Sequence, residues 1–317
     1  MQIQLLAPFE RAFNRMKTAL FKPFDLRKWL IIGFTAFLAD LLNSGGGGGR
    51  GIRDESSGDW GAVLAAPYEA LDWLKSKPEW MMLLIFILLS AAALVLLLLW
   101  LSSRGKFMFL DNVVRERALV ASPWHHFRQP AASLFRFRAL LALVILGLAG
   151  GTLYHLWQLA YTRWNESGDL WQLLPSLALW IFFLLLIILV FGYVMLLLDH
   201  FVVPLMYKHN LSCTQAWEKF MPLHWAHVGS FFVYALFILM VTIALVVMVV
   251  IGGLFTCCIG FLLLAIPYIS SVVMLPFSYW LRSFSLEYLT QFGSEYNLME
   301  GTGPEEVNPV PVPPPVI

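Results

Sequence analysis

The chain has 317 residues, 59% of them hydrophobic and only 13% charged, with a formal net charge of +1. Soluble domains are about 45–50% apolar and about 25% charged, so the composition excludes an ordinary soluble globular protein. The near-zero net charge excludes a globally basic nucleic-acid binder, and basic character has to be local.

Residues 3–20 set Leu5, Leu6, Phe9, Phe13, Met16 and Leu20 at helical spacing, with Arg11, Arg15 and Lys17 off that stripe. This pattern predicts a basic amphipathic helix lying in a membrane interface, broken at "KPFDL" because the residue before a proline avoids helix. Six basic residues precede the first apolar run. A cleaved signal peptide places its apolar region nearer the start and follows it with a small-residue site, so the N-terminus is read as retained. Residues 29–42 are the first expected membrane span, short enough to be re-entrant, with Asp40 near the end.

Residues 43–59, "NSGGGGGRGIRDESSGD", form a glycine-rich linker without the Lys-Ser or Lys-Thr of a phosphate-binding loop. Trp60, Val63, Leu64, Tyr68, Leu71 and Leu74 suggest a short surface helix. Residues 80–101 then give about the 20 apolar residues needed to cross a bilayer. Further spans are expected at 140–161, 174–198, 228–254 and 261–281, the last interrupted by Pro267 and Pro276. The small residues of "GLAGG" in the third span would admit a close helix neighbour. Cys257 and Cys258 are either a strained vicinal disulfide or, preferably, two small packed apolar residues; with Cys213 they match no zinc pattern. Residues 297–317 read as a disordered acidic and proline-rich tail, and its Pro311-x-x-Pro314 is a minimal docking pattern for a protein partner.

With six spans and the N-terminus inside, 16 of the 21 Lys and Arg fall on the inner side, which favours both termini in the cytoplasm. Aligning Trp124 with Trp217, 93 residues apart, lays "VVRERALVASPWHHF" over "MYKHNLSCTQAWEKF". The chain therefore reads as one membrane domain, residues 1–296, of three units (about 1–101, 102–198 and 199–290). Each unit is an amphipathic elbow helix followed by a transmembrane hairpin.

The repeated features are anchors: tryptophan at headgroup depth and basic residues reaching for phosphate. Arg104, Lys106, Arg115, Arg117, Trp124, Arg128, Arg136, Arg138, Lys208 and Trp217 are the candidates for contact with lipid headgroups. Asp111, His125, His126, Asp199, His200, His224 and His227 form a second, polar set on the same side that could serve metal or acid–base chemistry. No HExxH, GxSxG or paired-acid motif accompanies it, so no catalytic residue, metal or cofactor is assigned. The centres of the second, fourth and fifth spans hold no ionisable group, which argues against a proton relay.

At "RGKFMFLDNVV", "PWHHF", "SLFRFR", "HFVVPLMY" and "LPFSYWLRSFSLEYLTQFG" the chain resembles a family of uncharacterised bacterial polytopic membrane proteins. The likeness runs from the first elbow to about Phe292 and implies the bacterial inner membrane without a settled activity. The elbow-and-hairpin repeat also looks like the membrane domain attached to some bacterial glycerophosphodiester phosphodiesterases. The catalytic barrel of those enzymes has no counterpart here, so none of its residues carries over.

The expected fold is all-α, with six transmembrane helices in three hairpins. The expected function is non-enzymatic: contacting anionic lipids, assisting transport or organising the membrane, with no nucleic acid as partner. A transporter or channel for a hydrophobic or amphipathic substrate is the alternative, and an enzyme using the inner His and Asp residues is the third reading.

Overall fold

The computed structural model describes residues 4–41, 60–167, 174–256 and 259–298. The glycine linker, Cys257, Cys258 and the Pro311–Pro314 pattern lie outside them. Every regular element among the described residues is helical. In chain order these are α1 (Leu6–Phe21), α2 (Leu26–Ala39), α3 (Trp60–Ser76), α4 (Pro78–Val114), α5 (Ala121–His126), α6 (Arg128–Ser167) and α7 (Leu174–Leu197). A π-helical turn (Leu198–Val202) then leads into α8 (Val203–His209), α9 (Cys213–Ala226), α10 (Val228–Phe255), α11 (Ile259–Leu264), α12 (Pro267–Val273) and α13 (Leu275–Leu289).

Among the described residues, four helices are long and apolar enough to cross a membrane: Pro78–Val114, Arg128–Glu166, Leu174–His209 and Val228–Phe255. Their side chains point outward; Leu89 is 66% exposed, Ile188 63% and Met248 72%. Such surfaces on helices of this length are stable against lipid rather than water. This is a membrane protein.

The count corrects the expectation of six. The first expected span is α2, whose 14 residues reach about 21 Å at 1.5 Å per residue, short of a hydrocarbon core of about 30 Å. The sixth is not one helix. Ile266 is extended before Pro267, and Pro276 opens the first turn of α13. Each proline lacks an N–H and tolerates a helix only at its start, so the segment becomes α11, α12 and α13.

The chain divides into two compact units. The first comprises Met1–Ala39, Arg104–Arg128 and His200–Ile317. Here α1 runs antiparallel to α13. Gln4 N donates to Gln291 Oε1 at 2.9 Å, and Gln291 Nε2 donates back to Gln4 O at 2.9 Å. One turn further in, Arg11 Nε pairs with Glu287 Oε2 at 2.8 Å. Phe9 sets its edge on Trp280, centroids 4.7 Å apart. The expected apolar stripe of α1 splits: Met16 and Leu20 are buried, whereas Leu6 and Phe13 stay exposed.

Helix α2 packs on α12, where Tyr268 Oη donates to Leu30 O at 3.1 Å, and on the last turns of α4. A Cβ on Gly105 would stand 2.5 Å from the backbone of Leu38 and Ala39, so α4 and α2 meet backbone to backbone and only glycine fits. Beyond this contact lies an aromatic core from the π turn, α9, α10 and α13. Phe201 stacks on Phe220 at 5.7 Å, Tyr234 stacks on Phe284 at 5.3 Å, and Tyr288 Oη donates to Ser230 O at 2.9 Å.

The second unit comprises Asp40–Ser103 and Gln129–Asp199. Tyr68 of α3 packs on Tyr161 of α6 at 4.7 Å, and His155 of α6 stacks on Trp180 of α7 at 5.7 Å.

The Gly105 contact gives a stability test. Gly105→Ala should lower the stability of the full chain in detergent by about 1–3 kcal/mol, as overpacking does. Gly147→Ala, whose Cβ meets nothing within 4 Å, should leave the thermal transition unchanged or raise it. Equal transitions for both variants would refute the contact.

Candidate functional site

The turn after α4 is built around one buried carboxylate. Asp111 is 1% exposed, and four residues on, a helix turn places Arg115 Nε 3.3 Å from its Oδ1. Glu116 then takes a left-handed conformation, φ 51°, which ends the helix and turns the chain back on itself. Arg117 thus donates to Asp111 Oδ2 from both Nη2 (2.9 Å) and Nε (3.2 Å). From α8, Tyr207 Oη donates to Oδ1 at 2.9 Å. Burying a charge is costly unless it is paired and hydrogen-bonded, and this one is both.

Asn112, next along α4, holds the rest of the turn. Its Oδ1 accepts from Leu119 N at 2.9 Å, and its Nδ2 donates to Leu119 O at 3.1 Å and to Thr35 Oγ1 of α2 at 3.3 Å. Arg104 pins α5: its guanidinium lies 4.7 Å over the Trp124 ring, and Nη1 donates to Trp124 O at 3.3 Å. Phe127 stacks on Phe107 at 5.8 Å and leans on Tyr207 at 4.8 Å.

The segment after α8 uses related devices. Asn210 takes φ 51°, and Ser212 and Gln215 form a reciprocal capping box that starts α9. Lys208 Nζ donates to three backbone carbonyls, of Ser294 (3.0 Å), Glu295 (2.8 Å) and Asn297 (2.9 Å). Cys213, in the first turn of α9, is buried, and burial pushes its thiol up to about 12. It is an apolar core residue rather than a nucleophile.

The ten headgroup candidates thus separate. Arg115, Arg128, Arg136 and Lys208 are exposed, with Lys208 engaged by the carbonyls above. Arg104, Arg117, Trp124 and Trp217 are half-buried. Lys106 and Arg138 are buried, at 2% and 3% exposed, and do not face headgroups. Arg138 Nη1 donates to Ser102 Oγ (3.1 Å) and Ser103 Oγ (3.3 Å), and the charges of Asp199 and Asp40 act on its guanidinium. Sequence reasoning placed it on the basic surface; in the structure it belongs to the interior of a spanning helix.

Most members of the polar set that lie in the first unit have partners or settings of their own. Asp111 is met by arginines and a tyrosine, while His125 and His126 are exposed. His200 Nδ1 lies 2.7 Å from Tyr234 Oη. His224 is buried against Phe220 and Phe231, and desolvation lowers its pKa. His227 leans on Phe292. Among the described residues no three His, Cys, Asp or Glu side chains come together to hold a metal ion.

Sequence reasoning missed two parts of this region. Tyr207 lies 96 residues from its Asp111 partner, a separation that no local pattern reveals. The other is a cavity of about 820 Å³ in the first unit, lined by Phe9, Phe13 and Met16 of α1, Met248 and Gly252 of α10, and Trp280 of α13, among others, with no charged side chain. Ligand sites span about 300–1,000 Å³ and are mostly apolar.

The Asp111 hub makes a graded prediction for the full chain in detergent. Asp111→Asn should cost about 2 kcal/mol, below the 3–5 kcal/mol of a fully buried pair because both arginines reach water. Arg115→Gln should cost under about 1 kcal/mol. Thermal or denaturant unfolding reads both, and the reverse order would refute the hub.

No curated protein and no solved structure matches the chain. A family model, described as a family of unknown function (DUF7544), matches residues 5–278. That match takes in α1 through the start of α13, nearly the whole chain, and the protein belongs to this family.

Proposed function

We propose that the protein is a non-enzymatic, lipid-contacting component of the bacterial inner membrane that binds anionic headgroups on its cytoplasmic side. One observation carries the reading: Arg115, Arg128 and Arg136 stay exposed beside spanning helices, while buried basic groups of the same stretch have partners within the protein. Trp225, 71% exposed at the end of α9, adds an aromatic of the kind that settles at headgroup depth. The density of basic residues from Arg104 to Arg138 supports an inner location for these segments.

The elbow repeat also has support. Glu116 and Asn210, 94 residues apart, share φ 51°. The Phe107–Phe127 and Phe201–Phe220 stacks fall at nearly the same offset. We read residues 102–198 and 199–290 as two copies of one anchoring unit, shifted by one residue from the alignment made on tryptophan.

The second reading, a path for a hydrophobic or amphipathic substrate, is favoured by the apolar cavity. The third, an enzyme, finds no support in a carboxylate already committed to Arg115, Arg117 and Tyr207.

The test uses the full chain in nanodiscs, with energy transfer from tryptophan to dansyl-labelled phosphatidylglycerol or phosphatidylcholine. Replacing Arg115, Arg128 and Arg136 together by Gln should lower the preference for phosphatidylglycerol by about 1 kcal/mol per charge, and high salt should do the same to the wild type. A preference that survives both would reject the headgroup role.

A further inference from the structure

The cavity opens onto the surface that faces the membrane. Met248 lines it and is 72% exposed, so an occupant enters sideways from the acyl-chain region. Its volume of about 820 Å³ is in the range of ligand sites. Water in it would find almost no partners: Thr256 supplies the one lining hydroxyl, and that oxygen already donates to Gly252 O at 3.0 Å. An apolar space of this kind stays dry.

Helical spacing sets charged residues of α1 next to Phe13, on the exposed side of the helix. Phe13 of α1 lines the cavity and is half exposed. Lys17, also exposed, follows it by four residues and so sits on the same helix face one turn on. Glu10 stands at the other end of that face, three residues before Phe13, so an anionic group is directed to the Lys17 end. The floor is set by Gly252, where a Cβ would meet nothing within 4 Å. The missing side chain leaves room in the cavity without being demanded by packing.

We propose that this cavity is a specific site for one anionic membrane lipid, with an acyl chain between α1, α10 and α13 and the headgroup at Lys17. It deepens the lipid-contacting reading but uses different residues from the exposed arginines. The two therefore fail separately.

The experiment is native mass spectrometry of the full chain exchanged into nanodiscs of equal phosphatidylglycerol and phosphatidylcholine, then stripped with increasing detergent. The wild type should retain one phosphatidylglycerol after the remaining lipids have gone. Gly252→Leu and Met248→Trp, which fill the space, should lose it with an unchanged thermal transition. Gly192→Leu, placed where a Cβ also meets nothing within 4 Å, should keep it. Lys17→Gln should retain a lipid but cut the preference for phosphatidylglycerol about fivefold, the worth of one basic residue near a surface.

The Arg115, Arg128 and Arg136 triple variant should still hold that last lipid, which separates this site from the headgroup surface. Retention by both cavity-filling variants would overturn the proposal. So would a wild type that strips to bare protein, holds either lipid indifferently, or carries a second copy of the chain in place of the lipid.

Discussion

A buried carboxylate has to be neutralised where it sits, and around Asp111 that requirement organises the turn between two long helices. Arg115, Arg117 and Tyr207 converge on it, from the end of α4, from the returning chain and from α8. Tyr207 also supports Phe127, so α5 takes its position partly from the same carboxylate. A buried ion pair is weak evidence for net stability, because desolvation offsets much of the attraction. What it provides here is uniqueness: the turn cannot shift register without leaving Asp111 unpaired. Arg128 and Arg136, beyond the hub, are exposed, and Arg115 is exposed while it pairs with Asp111.

A second constraint comes from the backbone. In a hydrocarbon core every peptide group needs an internal partner, and irregular segments have to satisfy theirs against neighbours. The π turn at Leu198–Val202 answers to this. Pro204 lacks an N–H and would clash with the carbonyl of His200 in regular helix; the wider turn absorbs it, as such turns do in long helices. It also re-aims His200 toward Tyr234, at 2.7 Å. Asp199, which sequence alone placed at a membrane boundary, belongs to the same turn and acts on Arg138.

What the sequence made legible follows from how its signals are encoded. Uninterrupted Leu, Ile, Val and Phe runs are local, and four of the expected spans fall inside the four long helices, three of which run about a dozen residues further at one end. The first and last expected spans failed for local reasons too. Residues 29–42 carry too few residues to cross, and Pro267 and Pro276 each restart a helix. The site was less legible, because its contacts are long-range. Asp111 with Tyr207, Asn112 with Thr35, and Phe9 with Trp280 join residues 77 to 271 apart, and no period encodes such pairings. The cavity depends on five helices, α1 and α10 to α13, and on the side chain that Gly252 lacks. The basic residues were all visible as charges, but only packing separates Lys106 and Arg138, which are buried, from Arg115 and Arg128, which are not.

The central proposal is that this protein selects anionic lipid through its own exposed basic surface. The most direct measurement is native mass spectrometry of the wild-type chain taken in mild detergent from the membrane in which it is made, with lipid and metal identified in the same spectra. The account predicts bound phospholipid enriched in anionic headgroups over the bulk membrane, and no stoichiometric metal. Bound lipid matching the bulk composition would contradict it, and a stoichiometric metal would turn attention to the histidines and aspartates instead.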